Sequence, residues 1–231
     1  MKNKAFILIT LLAMVAIGGG VWVYNQSSQD EVGPPPMASA NSLPDSKPAI
    51  DPVTVTDPNV WVRPHSMTYG KADAKVTVVE FFDPECETCK IMHPLTKSLV
   101  KEYGNRVRFA HRVMPYHKES RLAACALEEA RVHKKYDQAL DILFERQPIW
   151  GSHTNPRPEL ISVYLQELGI PKNKLTPEYL FEKHGAKIDQ DKADGDTVGV
   201  TGTPEFYINH HLLTELGEEG LRAMIEAALH E

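Results

Sequence analysis

The sequence predicts an α/β domain, with a central sheet flanked by helices and an inserted helical subdomain, preceded by a transmembrane helix and a Pro-rich linker. A near-continuous apolar run, Val76 to Phe82, is typical of a strand buried on both faces. Residues from about 118 to 198 then follow a helical pattern. A second apolar strand, Phe206 to Ile208, comes after them. Strands at both ends of a helical block indicate one sheet with a helical insertion.

The N-terminal segment, residues 1–24, is predicted to be a membrane anchor. Two lysines precede an uncharged run from Ala5 to Tyr24, which as a helix covers about 30 Å, enough to cross a bilayer. Acidic residues follow at Asp30 and Glu31, so the charge pattern places the N-terminus in the cytoplasm. We therefore expect a single pass through the cytoplasmic membrane with the domain in the periplasm or extracytoplasmic space. A cleaved signal sequence, leaving a soluble periplasmic protein, is the alternative.

The next segment, residues 25–57, is rich in Pro, Ser, Asp and Ala. This composition buries too little apolar surface to fold, so it predicts a disordered linker that holds the domain away from the membrane. Residues 58–231 are long enough for one domain with a proper core. In either topology the domain is exported to a compartment where disulfides persist.

Within the domain, alternation from Arg106 to Val113 predicts a second strand. The insertion is predicted to contain helices at Ser120 to Lys134, Tyr136 to Arg146 and Pro158 to Leu168. A further helix should begin at Thr176, because a hydroxyl cap is followed by Pro and Glu. The last helix carries one apolar stripe, formed by Leu221, Met224, Ile225, Ala228 and Leu229.

The charge and the cysteine content restrict the possible functions. The 231 residues carry a formal net charge of −6 and no basic block, so nucleic acid is not an expected partner. Three cysteines are too few for a disulfide framework. Two of them, Cys86 and Cys89, form a Cys-x-x-Cys pair, and Cys125 lies among alanines, where we expect a small buried filler.

The Cys-x-x-Cys pair lies between the Val76–Phe82 strand and the start of a helical pattern. A cysteine at a helix N-terminus is favoured as thiolate, the reactive species in disulfide exchange. We therefore interpret Cys86 and Cys89 as a redox-active disulfide. The alternatives are an inert bridge or half of a zinc site. A zinc site needs two more close ligands, and there is no second Cys-x-x-Cys.

Two further features accompany the pair. Glu80 lies inside the apolar strand, six residues before Cys86, and a buried acid needs a reason. A solvent-facing carboxylate at a strand edge is the alternative interpretation. Downstream, Gly202, Thr203 and Pro204 open the second apolar strand.

This order of elements resembles the thioredoxin fold, whose central mixed sheet is flanked by helices. The inserted helices are similar to those of the DsbA-like branch of exported thiol–disulfide oxidoreductases. The resemblance covers about Trp61 to Glu231. It is carried by features at matching spacings, namely Glu80, Cys86 with Cys89, Pro94, and Thr203 with Pro204.

The resemblance implies a role for each of these residues. Cys86 matches the exposed nucleophile and Cys89 the buried resolving cysteine. Glu80 matches the buried carboxylate beneath the resolving cysteine. Pro94 matches the proline that kinks the active-site helix. The substrate-binding residues Thr203 and Pro204 match the cis-proline segment, where a substrate strand pairs beside the disulfide.

The chain departs from the family pattern at the dipeptide Glu87-Thr88, which is neither the Gly-Pro of thioredoxins nor the Pro-His of DsbA. Thr203 is the residue found in exported isomerases, whereas DsbA has Val. Acidic residues at positions 83, 85 and 87 are expected to oppose a thiolate on Cys86. A less stable thiolate predicts a reduction potential well below the value of about −120 mV for DsbA.

Three functions are consistent with the sequence. The first is an exported thiol–disulfide oxidoreductase without cofactor that acts on protein or peptide substrates with thiols or disulfides, recycled by a membrane redox partner. The second is a membrane-tethered dedicated reductant of the cytochrome-maturation type. The third is a copper carrier that uses Cys86, Cys89 and His93, which is four residues after Cys89.

Overall fold

The structure, a computed structural model, describes residues 52–231. The predicted anchor and most of the predicted linker lie outside this part of the chain. From residue 52 onwards, no helix is both long and apolar enough to cross a membrane.

The sheet has five strands in the order β1-β3-β2-β4-β5. The strands are β1 (Met67–Tyr69), β2 (Val76–Phe82), β3 (Val107–Val113), β4 (Glu205–Ile208) and β5 (His211–Leu212). Strands β2 and β3 are parallel, and the other neighbours are antiparallel. The sheet is therefore mixed, as the family resemblance implies.

Strand β2 lies at the centre of the sheet. Its residues are buried except for the intermediate Thr77, which explains the near-continuous apolar run in the sequence. Glu80 is paired with His111 on β3 and with Phe206 on β4. The central position of this strand fixes what surrounds the carboxyl of Glu80.

Seven α-helices lie in the described part of the chain. They are α1 (Glu87–Tyr103), α2 (Ser120–Val132), α3 (Tyr136–Glu145), α4 (Gln147–Trp150), α5 (Glu159–Gln166), α6 (Pro177–Val198) and α7 (Glu218–His230). Short 3-10 turns occur at Pro58–Val60, Gly104–Arg106 and Lys172–Lys174. Helices α2 to α6 form the insertion between β3 and β4, within the predicted range.

The helix ends differ from the predictions by one or two residues. Helix α2 ends at Val132 rather than Lys134, because Lys134 has a φ of 58° and reverses the chain. Helix α6 begins as predicted, with the Thr176 side chain accepting a hydrogen bond from the N–H of Tyr179. The predicted stripe on α7 is buried at Leu221, Ile225 and Ala228.

The insertion is joined to the sheet by a buried ion-pair network. Arg112 on β3 is fully buried, and its guanidinium lies 2.9 Å from Asp191 and 2.6 Å from Asp194, both on α6. Arg63 also binds Asp194, at 2.6 Å. Buried charges need such partners, so this network couples α6 to the strand that runs beside β2.

Candidate active site

Cys86 is the N-cap residue of α1. Its sulfur accepts a hydrogen bond from the N–H of Cys89 at 3.4 Å. The N–H of Cys86 donates to the carbonyl of Asp83 at 3.1 Å, and this bond closes the turn that precedes the helix. Cys86 is 7% exposed and Cys89 is 0% exposed. Both are free thiols. Cys86 is therefore more buried than the exposed nucleophile that the resemblance implies, although it keeps a small exposed surface at the helix N-terminus, and Cys89 is fully enclosed beside it.

The segment before β4 completes the site. The peptide bond between Thr203 and Pro204 is cis, and the Cys86 sulfur lies 3.2 Å from the Thr203 carbonyl oxygen, to which it donates only while it is protonated. These residues are 117 positions apart in the chain. The pairing of β4 with β2 brings them together, because β2 leads directly into the Cys86 turn.

The two thiols have opposite acid–base properties. A hydrogen bond from the Cys89 side chain, together with backbone N–H groups at the start of α1, lowers the pKa of Cys86 to about 5 despite its partial burial. Burial raises the pKa of Cys89, and its interaction with Cys86 raises it further. At neutral pH the outer sulfur is a thiolate, while the inner one keeps its proton.

Each of the three acidic residues near Cys86 has its own hydrogen-bond partners, and Asp83 has the largest number. Its carboxylate is fully buried and accepts hydrogen bonds from the backbone N–H groups of Tyr116, at 2.9 Å, and Glu85, at 2.8 Å. It also accepts from the Ser120 hydroxyl and lies 2.8 Å from Nδ1 of His117. Burial alone would lower the pKa of His117, but the hydrogen bond to Asp83 and the nearby negative charges together raise it.

The other two carboxylates also have partners. Glu85 accepts from the N–H of Glu119 at 2.8 Å, and Glu87 lies 2.6 Å from Nε2 of His153. The expectation that these acids leave Cys86 with a poorly stabilised thiolate is not met, because the pKa of its thiol is lowered to about 5. The carboxylates accept hydrogen bonds from groups in distant segments, and the reduction potential of the pair stays a prediction.

Glu80 is buried, as its place in the apolar run predicts, and the solvent-facing alternative is wrong. Burial raises the pKa of its carboxyl to about 8, and a hydrogen bond to Thr96 only partly offsets this. The charge of Glu80 raises the pKa of Cys89. Glu80 and Cys89 are therefore close enough for their proton equilibria to interact.

Several residues at the site carry no signal in the sequence. Gln147 on α4 is buried, and its side-chain amide donates to the carbonyls of Pro84 and Cys86, both at 3.0 Å. His117 and His153 likewise come from segments that follow β3. Their side chains reach the site only because the insertion folds over the first turn of α1.

The remaining predicted residues have simpler roles. Cys125 is fully buried in the core of the insertion, and burial raises its pKa to about 12, as expected of a filler. Pro94 lies within α1. His93 binds Asp141 at 2.7 Å. Over residues 52–231, no three His, Cys, Asp or Glu side chains are placed to hold a metal ion, so the copper ligand set is not assembled.

A thiol at a helix N-terminus, a second thiol buried beside it and a cis-proline segment facing both define a disulfide-exchange architecture. Residues 63–227 match the thioredoxin family, and the chain belongs to that family.

Disulfide bond formation protein D of Bacillus subtilis is 29% identical over 175 residues, which cover 69% of this chain and 75% of that protein. The oxidised structure of BdbD from the same organism superposes with a TM-score of 0.61 at 26% identity, covering 72% of this chain and 94% of that one. The Na⁺/H⁺ antiporter NhaA 3 of Salinispora tropica is 31% identical over 169 residues, or 70% of this chain. This chain spans only 24% of the length of that antiporter.

Proposed function

We propose that this chain is an exported thiol–disulfide oxidoreductase that exchanges disulfides with protein substrates through Cys86 and Cys89. The observation that carries the proposal is the contrast between the two sulfurs. Cys86 has a thiol pKa of about 5 and lies beside the Thr203–Pro204 segment, whereas the thiol of Cys89 is buried and stays protonated. The relationship to disulfide bond formation protein D supports the same activity.

In the oxidising direction, a substrate thiolate attacks the sulfur of Cys86 in the Cys86–Cys89 disulfide. A bond forms between the substrate and Cys86, and the electron pair of the broken bond goes to Cys89, which takes a proton from Glu80. A second substrate thiolate then attacks the substrate sulfur, and Cys86 leaves as thiolate. The substrate loses two electrons and the cysteine pair gains them.

In the reducing direction the order is reversed. The Cys86 thiolate attacks a substrate disulfide and releases one substrate sulfur as thiolate. Cys89 then loses its proton to Glu80, directly or through water, and attacks Cys86. The second substrate sulfur leaves, and the pair becomes a disulfide.

The oxidising direction is favoured by the thiol pKa of Cys86. A stable thiolate stabilises the reduced form of the pair, and a stable reduced form makes the disulfide a stronger oxidant. This argues against the dedicated reductant as the first choice. We propose that a membrane redox partner re-oxidises the pair and that residues 1–24 hold the domain at the outer face of the cytoplasmic membrane.

We propose that the substrate strand lies beside Thr203 and Pro204, because the Thr203 carbonyl already contacts Cys86. A groove of about 460 Å³ borders the first turns of α1 and is lined by Ile91, Pro148 and Thr154, among others. Ile91 is 73% exposed and gives a substrate an apolar contact in this groove.

The test is covalent trapping. In Cys89→Ser, Cys86 can still attack a substrate disulfide, but no Cys89 thiol is present to resolve the resulting mixed disulfide. Mixed disulfides with substrates should therefore accumulate and be visible on non-reducing gels. Cys86→Ser should trap none, and Cys125→Ser is the matched control with an intact pair. Equal trapping by the first two variants would show that their roles are misassigned. Failure of the wild type to oxidise a reduced, disulfide-containing protein would contradict the activity itself.

A further inference from the structure

His111 on β3 is a buried side chain whose two ring nitrogens both lack a hydrogen-bond partner. It is 7% exposed and lies opposite Glu80 in the β2–β3 register. A buried polar atom without a partner is destabilising, and such atoms in native proteins call for an explanation.

The Nε2 atom of His111 lies 3.5 Å from a carboxylate oxygen of Glu80, just outside the range of a well-formed hydrogen bond. The other neighbours of the ring are aromatic. The ring centroids of Tyr69 on β1, Phe82 on β2 and Tyr136 on α3 lie 5.3, 5.5 and 6.1 Å away. The imidazole is therefore enclosed by rings and directs one nitrogen towards Glu80.

The enclosure also sets the charge of the imidazole. Burial lowers the pKa of His111 to about 3, and the charge of His93 on α1 contributes to the same shift. A neutral imidazole has one N–H and one lone pair. With the hydrogen on Nε2, it is an uncharged donor facing the carboxyl of Glu80. Such a donor favours the ionised carboxylate without forming a permanent ion pair.

We propose that His111 is a positioning residue for the proton acceptor of the exchange site, donating from Nε2 to Glu80 so that this carboxyl is ionised often enough to accept the proton of Cys89. The inference rests on the proposed function and deepens it. In the step concerned, the proton moves from the sulfur of Cys89 to Glu80, and a bond forms between the two cysteine sulfurs. The bond between Cys86 and the substrate breaks, and its electron pair leaves with the substrate sulfur.

The first measurement does not depend on exchange activity. The carboxyl band of Glu80 is titrated by infrared difference spectroscopy, taking the wild type minus Glu80→Gln. His111→Phe and His111→Leu both remove the donor, and two variants are made so that one remains informative if the other does not fold. Each should raise the pKa of Glu80 by about one unit. His111→Gln keeps an N–H donor, so the pKa of Glu80 in this variant should stay close to the wild-type value. Tyr136→Phe, in the same enclosure, should change nothing.

The second measurement follows the resolving step. A mixed disulfide between Cys86 and glutathione is prepared at low pH, and glutathione release is timed across pH 5 to 9. Removing the donor should slow release at pH 7 about tenfold and move the rate profile to higher pH by the same amount as the infrared titration. In a Glu80→Gln background the His111 substitutions should have no further effect on the rate.

Two results would overturn the role of His111. One is an unchanged Glu80 pKa in both donor-free variants, and the other is a rate effect that persists in the Glu80→Gln background. If the wild-type mixed disulfide releases no glutathione at any pH, the proposed function fails. The infrared titration would still decide whether His111 acts on Glu80.

Discussion

The low thiol pKa of Cys86 predicts how the reduction potential of the pair depends on pH. Between the pKa of Cys86, about 5, and the raised pKa of Cys89, the reduced pair carries one proton. Reduction then takes up two electrons and one proton, so the potential should fall by about 30 mV per pH unit. Below pH 5 two protons are taken up, and the slope should double to about 59 mV.

The size of the effect at neutral pH follows from the same value. A thiol with a pKa of about 5 is about 99% ionised at pH 7, whereas one with the reference value of 9.0 is about 1% ionised. Ionisation stabilises the reduced form about 100-fold, which corresponds to a potential about 59 mV higher than that of the same site with an unshifted thiol. This stabilisation is complete only above the reference pKa of 9.0, decreases about tenfold per pH unit below it, and is lost as the pH falls through about 5.

The assay equilibrates the protein with glutathione redox buffers at fixed pH values from 4 to 8, then counts reduced cysteines by alkylation and mass spectrometry. The absorbance of the thiolate at about 240 nm should titrate at the pH where the slope changes. Cys125→Ser should give the same curve, because Cys125 is fully buried and burial raises its thiol pKa to about 12. A slope of about 59 mV that continues through pH 7 would refute the assignment of a stable thiolate to Cys86.

Three further predictions concern the surroundings of the site. The carboxyl pKa of Glu80 is raised from a reference of 4.5 to about 8, so the free energy of unfolding should fall by about 5 kcal/mol as the pH rises across that interval. Urea titrations at pH 4.5 and 8.5 measure this fall, and Glu80→Gln should abolish it. Asp194→Asn should destabilise the domain by about 3–5 kcal/mol in the same assay, because it removes a carboxylate from a buried network. Glu102→Gln, which breaks an exposed ion pair, is the control and should leave the free energy of unfolding unchanged. An equal loss of stability in the two variants would contradict the role of the buried network. Gln147→Ala should cost about 1–3 kcal/mol and loosen the Cys86 turn, seen as faster amide exchange there and not in α7.

The outline of the fold could be predicted because its signals are local. The apolar run of β2, the hydroxyl cap of α6 and the stripe of α7 each depend on residues within one or two turns of each other. The spacing of Cys86 and Cys89 at a helix start is also local. Backbone geometry alone places both sulfurs at the first turn of α1. These features were correct to within one or two residues at the helix ends.

The electrostatics of the site could not be predicted in the same way. The sequence shows acids beside Cys86, and adjacency suggested that they oppose a thiolate. In the folded chain Asp83 and Glu87 bind His117 and His153, which come from the segments after β3. The stability of a charge depends on every group near it in space, and most of those groups are distant in sequence.

The reactive groups of the site can be identified from the sequence alone: a thiol pair at a helix start, a carboxyl within a buried strand and a Thr-Pro pair before another strand. Their pKa values depend on contacts that form only when the chain folds. The tertiary structure places the Thr203 carbonyl against Cys86 and His111 opposite Glu80. The physical reason is that strand pairing across the sheet, not neighbourhood along the chain, sets which dipoles and charges surround each ionisable group.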